Sequence, residues 1–271
     1  MSAMKSSFTA VRLFLAIFVA CPFFALAVKA QTPASNSERK PVVVVELFTS
    51  EGCSSCPPAD ALLQKLETQP VPDVEIVAIE EHVDYWNHDG WVDPFSSPEW
   101  TQRQATYTAL TKKDVYTPEL VVDGQSQFLG SDGRQAGIEI EKAAHSPKTD
   151  VAITSGKPEG KNSQHFSVSV GKLAGNKDGD VAEIWLAVTE DGLHSAVTQG
   201  ENKGREMHHV ATLRTLRKIG VADANGASAF TGDAVVKLNS HWAPENLHVT
   251  VFVQEKKSRE IIGAASTKIK G

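Results

Sequence analysis

Cysteine is nearly absent from this sequence: there are three in 271 residues, and Cys21 lies inside an apolar N-terminal run. There is no H-E-x-x-H and no second C-x-x-C, so tight spacing reveals no metal site. No Gly-x-Ser-x-Gly elbow offers a serine nucleophile, no repeat or low-complexity tract stands out, and no motif calls for a cofactor. Beyond the N-terminal run no apolar stretch is long enough to span a bilayer, so stable membrane insertion is not expected once that run is removed. Basic charge is scarce as well. The formal net charge is −6, and losing a leader that holds Lys5, Arg12 and Lys29 but no acid takes it to about −9. Such a balance speaks against nucleic acid or an anionic membrane surface as partner.

What is present begins with that leader. Lys5 and Arg12 precede the run Leu13 to Ala20, which continues to Val28, and Val28-Lys-Ala30 offers small residues for cleavage. Residues 1–30 read as a secretory signal peptide and 31–40 as a polar linker. The mature chain is then expected to be exported, to a periplasm or the extracellular space. Its two remaining cysteines sit in Glu51-Gly-Cys-Ser-Ser-Cys-Pro-Pro58, between the apolar run Pro41 to Phe48 and a segment of helical spacing. Pro57 and Pro58 lack a backbone N–H and fit a helix only in its first turn, which places the helix start at or just before Cys56. Cys53 then faces free amides and the positive end of the helix dipole, which favour a thiolate. In an oxidising compartment the pair can be bridged. So short a loop makes a weak staple, and the pair reads as a redox couple.

Val42 to Phe48 reads as a buried strand, Ala59 to Leu66 as a helix, and Val74 to Ile79 as a second strand, together a βαβ unit. The acid- and aromatic-rich run Glu80 to Ser97 leaves the strand end where α/β proteins place ligands. A helix from Pro98 to about Lys112, a strand Glu119 to Val122, an Asp123-Gly124 hairpin and a helix capped by Asp132 follow. From about Lys148 the pattern changes to seven short, often alternating strands separated by Gly, Asn and Asp clusters.

This order, with the dicysteine motif after the first strand and Thr117-Pro118 before the third, resembles the thioredoxin fold. More narrowly, Leu47 to Asp60, His82 to Trp86, Asp93 to Ser97, Val115 to Pro118 and Gly200 to Arg205 resemble an uncharacterised family of secreted thioredoxin-like proteins. The fold expected is therefore an α/β thioredoxin-like domain (β-α-β-α-β-β-α) over residues 41–147, followed by an antiparallel β-sandwich domain over 148–271. The resemblance implies a cis Pro118 packed against the cysteine pair, with the Thr117 backbone open to a client. It also suggests Glu46 as a proton acceptor, a structural glutamate being the other reading.

The function expected is an exported thiol-disulfide oxidoreductase working on protein or small-molecule disulfides through Cys53 and Cys56. Its partners would be disulfide- or dithiol-containing clients and a separate redox partner. Two alternatives stay open. One is a copper-binding protein using Cys53, Cys56 and a histidine such as His82, in a stretch that also holds Asp84, His88 and Asp89. The other is a binding module with an inert bridge. His208 and His209 read as ordinary residues on opposite faces of a strand, and Gly200 to Arg205 as a shaped turn.

Overall fold

The computed structural model describes residues 40–112, 114–158, 162–175, 180–223 and 229–269. The expected signal peptide and all of the linker but Lys40 lie outside them. The apolar run forms β1 (Val42–Thr49), followed by α1 (Pro57–Thr68) and β2 (Glu75–His82), which pairs parallel to β1 so that Thr49 stands opposite His82. Next come α2 (Pro98–Thr111), capped by the Ser97 side chain, β3 (Glu119–Val122), β4 (Ser126–Leu129) and α3 (Gly133–Ala144), capped by Asp132. Asp123 and Gly124, both at positive φ, make the turn of the β3–β4 hairpin. At Gly124 a side chain would run into the carbonyl of Arg259.

The described residues after α3 are mostly strand, with one short 3-10 helix (Pro244–Asn246): β5 (Val151–Pro158), β6 (Ser163–Val170), β7 (Ala182–Glu190), β8 (Leu193–Ala196), β9 (Glu206–His209), β10 (Thr212–Val221), β11 (Phe230–Lys237), β12 (Leu247–Glu255) and β13 (Ile261–Lys268). Here the expected architecture is corrected. Among the described residues strand makes up 42% and helix 19%, and one mixed eight-stranded sheet runs in the order β13-β12-β7-β10-β2-β1-β3-β4. An α/β thioredoxin-like domain followed by a separate β-sandwich does not describe it. The physical reason is the outer edge of β2. Left bare, it would expose unpaired N–H and C=O groups; instead Glu80 N–H donates to Ala211 O and Thr212 of β10 takes the parallel position beside Glu80. β7, β12 and β13 extend the sheet from there, while β11-β6-β5 form a smaller sheet sharing an apolar core with β7 and β12.

Strand alternation assigns the two faces of the large sheet. Val43, Val45 and Leu47 pack with Ala59 and Leu63 of α1 and Ile140 of α3. Val44, Val77 and Ile79 face the other way, toward Trp100 of α2. Among the described residues, no helix is long and apolar enough to cross a membrane.

Candidate functional site

β1 ends at Thr49, and two tight turns carry the chain into α1: Cys53 N–H donates to Ser50 O, and Cys56 N–H donates to Cys53 O. Cys56 is the N-cap, Pro57 opens the helix, and Cys53 and Cys56 are joined in a disulfide with their Cα atoms 5.5 Å apart. The Ser55 hydroxyl lies 3.2 Å from Cys53 Sγ and 3.4 Å from Thr117 O. The Thr117–Pro118 peptide is cis, as the resemblance implied. Trp86 Nε1–H donates to Thr117 Oγ1 at 2.7 Å, and its Cβ fits against Gly52, where a side chain would crowd it. Cys53, Cys56, Thr117 and Pro118 are thus brought together. Neither cysteine has exposed surface: both are 0% accessible, so the open thiol expected at Cys53 is in fact covered.

The cover comes from far along the chain. Gly200 to Arg205 lies in the connection between β8 and β9, and Asn202, fully buried, donates through Nδ2 to Glu51 O at 2.8 Å and Cys53 O at 2.9 Å. The Glu201 carboxylate accepts from Ser54 N–H at 3.1 Å. Gly200, at φ +72°, lets the turn press against Asp89 O and Trp91. The segment is a shaped turn, as expected, and one fitted onto the disulfide loop.

Beneath this loop, on the α1 face at the ends of β1 and β2, lies a buried polar cluster. His82 Nδ1 stands 2.7 Å from Asp93 Oδ2, which also accepts from Glu51 N–H at 2.8 Å. His209 bridges two acids, with Nδ1 3.2 Å from Glu80 Oε1 and Nε2 3.0 Å from Glu51 Oε1. Glu51 also accepts from Ser195 and from Trp91 Nε1–H, and Glu80 accepts from Thr212. Thr49 donates to Asp60 at 2.6 Å. The His82 and His209 rings meet edge to face at 4.5 Å, with Phe95 closing the site against both.

Opposing forces set the charges here. Burial disfavours a charged imidazole, yet Asp93 and Glu80 raise His82 well above its ordinary pKa. His209 likewise goes to about 9, burial being outweighed chiefly by Glu80. Burial acts to raise Glu80 too, but His209 brings it down to about 2. For Asp60 burial, helped by Glu80, outweighs the pull of His209, Thr49 and His82 and pushes it up to about 7.

The remaining sequence-expected residues fall elsewhere. Glu46 points to the α2 face, held by Arg103 Nε–H at 2.6 Å and by the Tyr107 hydroxyl at 2.6 Å. Asp60, one turn after Cys56, is the buried acid on the cysteine helix. His88 and Asp89 are exposed, and Asp84 bonds Thr101. Among the described residues, the three ligand-bearing side chains whose donor atoms all come within 4.8 Å are Glu80, His82 and His209, a set containing neither cysteine of the copper reading. His208 is exposed and His209 buried, opposite faces as expected, but His209 proves far from ordinary. Sequence reasoning missed Glu51, Asp60, Glu80, Asp93, Asn202 and His209 as a group. A signal existed for four of them: Glu51, Asp60, Asp93 and Asn202 lie inside the very segments that carried the resemblance, and those segments converge here.

A family model described as "Protein of unknown function (DUF1223)" matches residues 44–254. No curated protein matches the chain. Among solved structures it is similar to a protein from Agrobacterium tumefaciens, with 26% identity over 86% of this chain and 96% of that one, at a TM-score of 0.64. It is also similar to HBP35 of Porphyromonas gingivalis, with 16% identity over 85% of this chain and 76% of that one, again at 0.64, a likeness of fold alone.

Proposed function

Since the chain belongs to the DUF1223 family of proteins of unknown function, its chemistry has to be read from its own site, and we propose that it is an exported thiol-disulfide oxidoreductase working through Cys53 and Cys56. The observation that carries this reading is the Cys53–Cys56 bridge at the head of α1. Once reduced, sulfur there is beside the positive dipole end of the helix, which stabilises a thiolate. The Ser55 hydroxyl at 3.2 Å can donate to it.

In the reducing direction the Cys53 thiolate attacks one sulfur of a client disulfide, forming a mixed disulfide and expelling the client's other sulfur as a thiolate. Cys56, deprotonated, attacks Cys53 Sγ and releases the second client sulfur. The client gains two electrons and two protons, and the pair ends bridged. Run backwards, the same steps oxidise a client dithiol and leave Cys53 and Cys56 reduced. Thr117 and Pro118, linked to the bridge through Ser55, position the incoming chain, and Asp60 replaces Glu46 as the acid nearest in the helix to Cys56. A separate redox partner resets the pair.

Because both sulfurs are covered, exchange begins with displacement of the Gly200 to Arg205 turn. The same burial favours the second reading, a binding module with an inert bridge. Incubating reduced Cys56→Ser protein with glutathione disulfide and weighing the product separates the two. Exchange chemistry gives a glutathione adduct on Cys53 under native conditions and none in a Cys53→Ser variant. An adduct that forms only after unfolding supports the inert bridge.

A further inference from the structure

His82 is completely buried, yet its Nε2 has no hydrogen-bond partner. A buried ring nitrogen that makes no hydrogen bond is costly, whichever way its proton is placed. It stands 3.3 Å from Glu80 Oε2, at an angle that makes no hydrogen bond. On the other side of the same carboxylate, His209 Nδ1 lies 3.2 Å from Glu80 Oε1. Two ligands on a tetrahedral zinc ion with bonds of about 2.0–2.1 Å stand about 3.3 Å apart. Each histidine nitrogen thus stands at that spacing from one oxygen of Glu80, and one donor atom from each of the three residues lies within 4.8 Å of the others.

The surroundings fit the same reading. A metal-binding histidine gives its other ring N–H to a carboxylate or carbonyl, which fixes the tautomer and orients the ring. His82 has this partner in Asp93, 2.7 Å from Nδ1, and His209 has it in Glu51, 3.0 Å from Nε2. Each imidazole thus turns one nitrogen to its own outer carboxylate and the other to Glu80. Asp93 is itself held by the amides of Glu51 and Phe95. Two histidines and one carboxylate form a donor set for divalent transition metals, zinc above all.

We infer that Glu80, His82 and His209 bind a divalent transition-metal cation, with Asp93 and Glu51 as the outer carboxylates. This site is distinct from the cysteine pair and does not depend on it. Glu51 lies two residues before Cys53, and His209 lies on β9, which leaves the turn covering the bridge. A bound cation would therefore tie the covering hairpin, the disulfide loop and β2 together.

The test uses the mature protein stripped with chelator and titrated with Zn²⁺ alone, followed by calorimetry and by the metal-induced rise in melting temperature. One equivalent should bind and raise the melting temperature, and a Cys53→Ser/Cys56→Ser double variant should bind equally well. His209→Gln should abolish the tight site. Asp93→Asn, which keeps an acceptor in place, should weaken it about 10–100-fold. Circular dichroism of each variant identifies any that fails to fold, and Asp93→Asn is the variant that decides if His209→Gln does so. No binding by the wild type, affinity unchanged in folded Asp93→Asn or His209→Gln, or binding lost with the cysteines would each overturn the assignment.

Discussion

Two buried clusters lie back to back on the first two strands, and the cation in each tells them apart. On the α2 face Arg103 holds Glu46 and Glu81 and also donates to Tyr107 and Gln254. On the α1 face the carboxylates meet His82 and His209 instead. A guanidinium is permanently charged and spends its fixed fork of donors on its neighbours. An imidazole can give up its proton and accept a metal in its place. Burial raises Glu81 well above its ordinary pKa despite Arg103, because one cation is shared between two carboxylates. Each cluster keeps a buried atom without a hydrogen bond, a carboxylate oxygen of Glu81 in the first and a ring nitrogen of His82 in the second, and the second lies beside the disulfide.

The comparison can be broken most forcefully at Arg103. Arg103→Met leaves buried carboxylates uncompensated and should cost about 3–5 kcal/mol in chemical denaturation. His209→Gln, which keeps a donor in the cluster, should cost clearly less. Equal losses would erase the distinction between a structural network and a site.

A buried acid outside both clusters sharpens it through pH. Burial pushes Asp123 up to about 6 against the pull of Lys148, above the 3.8 expected of an unfolded chain. The folded state thus holds the proton more tightly, so this group's stabilisation is full below about pH 4 and is lost as pH rises through about 6. Relative to Asp123→Asn, wild-type stability should fall by about 2 kcal/mol between pH 4 and pH 7. A flat difference would mean that Lys148 keeps Asp123 ionised, as Arg103 cannot do for Glu81.

Smaller effects are expected at the cover. Asn202→Ala removes two buried hydrogen bonds, worth about 0.5–1.5 kcal/mol each, and should speed reduction of the bridge by dithiothreitol about tenfold. Glu201→Gln, at an exposed carboxylate, should change that rate least. An unchanged rate in Asn202→Ala would show that the turn does not control access.

Local signals carried much of the fold. The all-apolar β1, the prolines opening α1, Ser97 and Asp132 at helix starts and the Asp123-Gly124 hairpin all act within a few residues, and each is where the pattern placed it. The joining of β2 to β10 was not legible. Glu80 and Thr212 are 132 positions apart, and an edge strand looks the same in sequence whichever partner covers it. For the same reason Cys53 and Cys56 were visible as a pair while their burial was not, since the covering Asn202 comes from the β8–β9 connection. His209 was hidden differently: alternation showed that one of His208 and His209 turns inward, but not that Glu51 and Glu80 await it.

The most direct measurement is the equilibrium between bridged and reduced Cys53–Cys56 in native protein, read by thiol alkylation across graded redox buffers. A potential within about −120 to −270 mV is the expected result for an exchange protein. A potential below about −300 mV, with thiols reached only on unfolding, would contradict it.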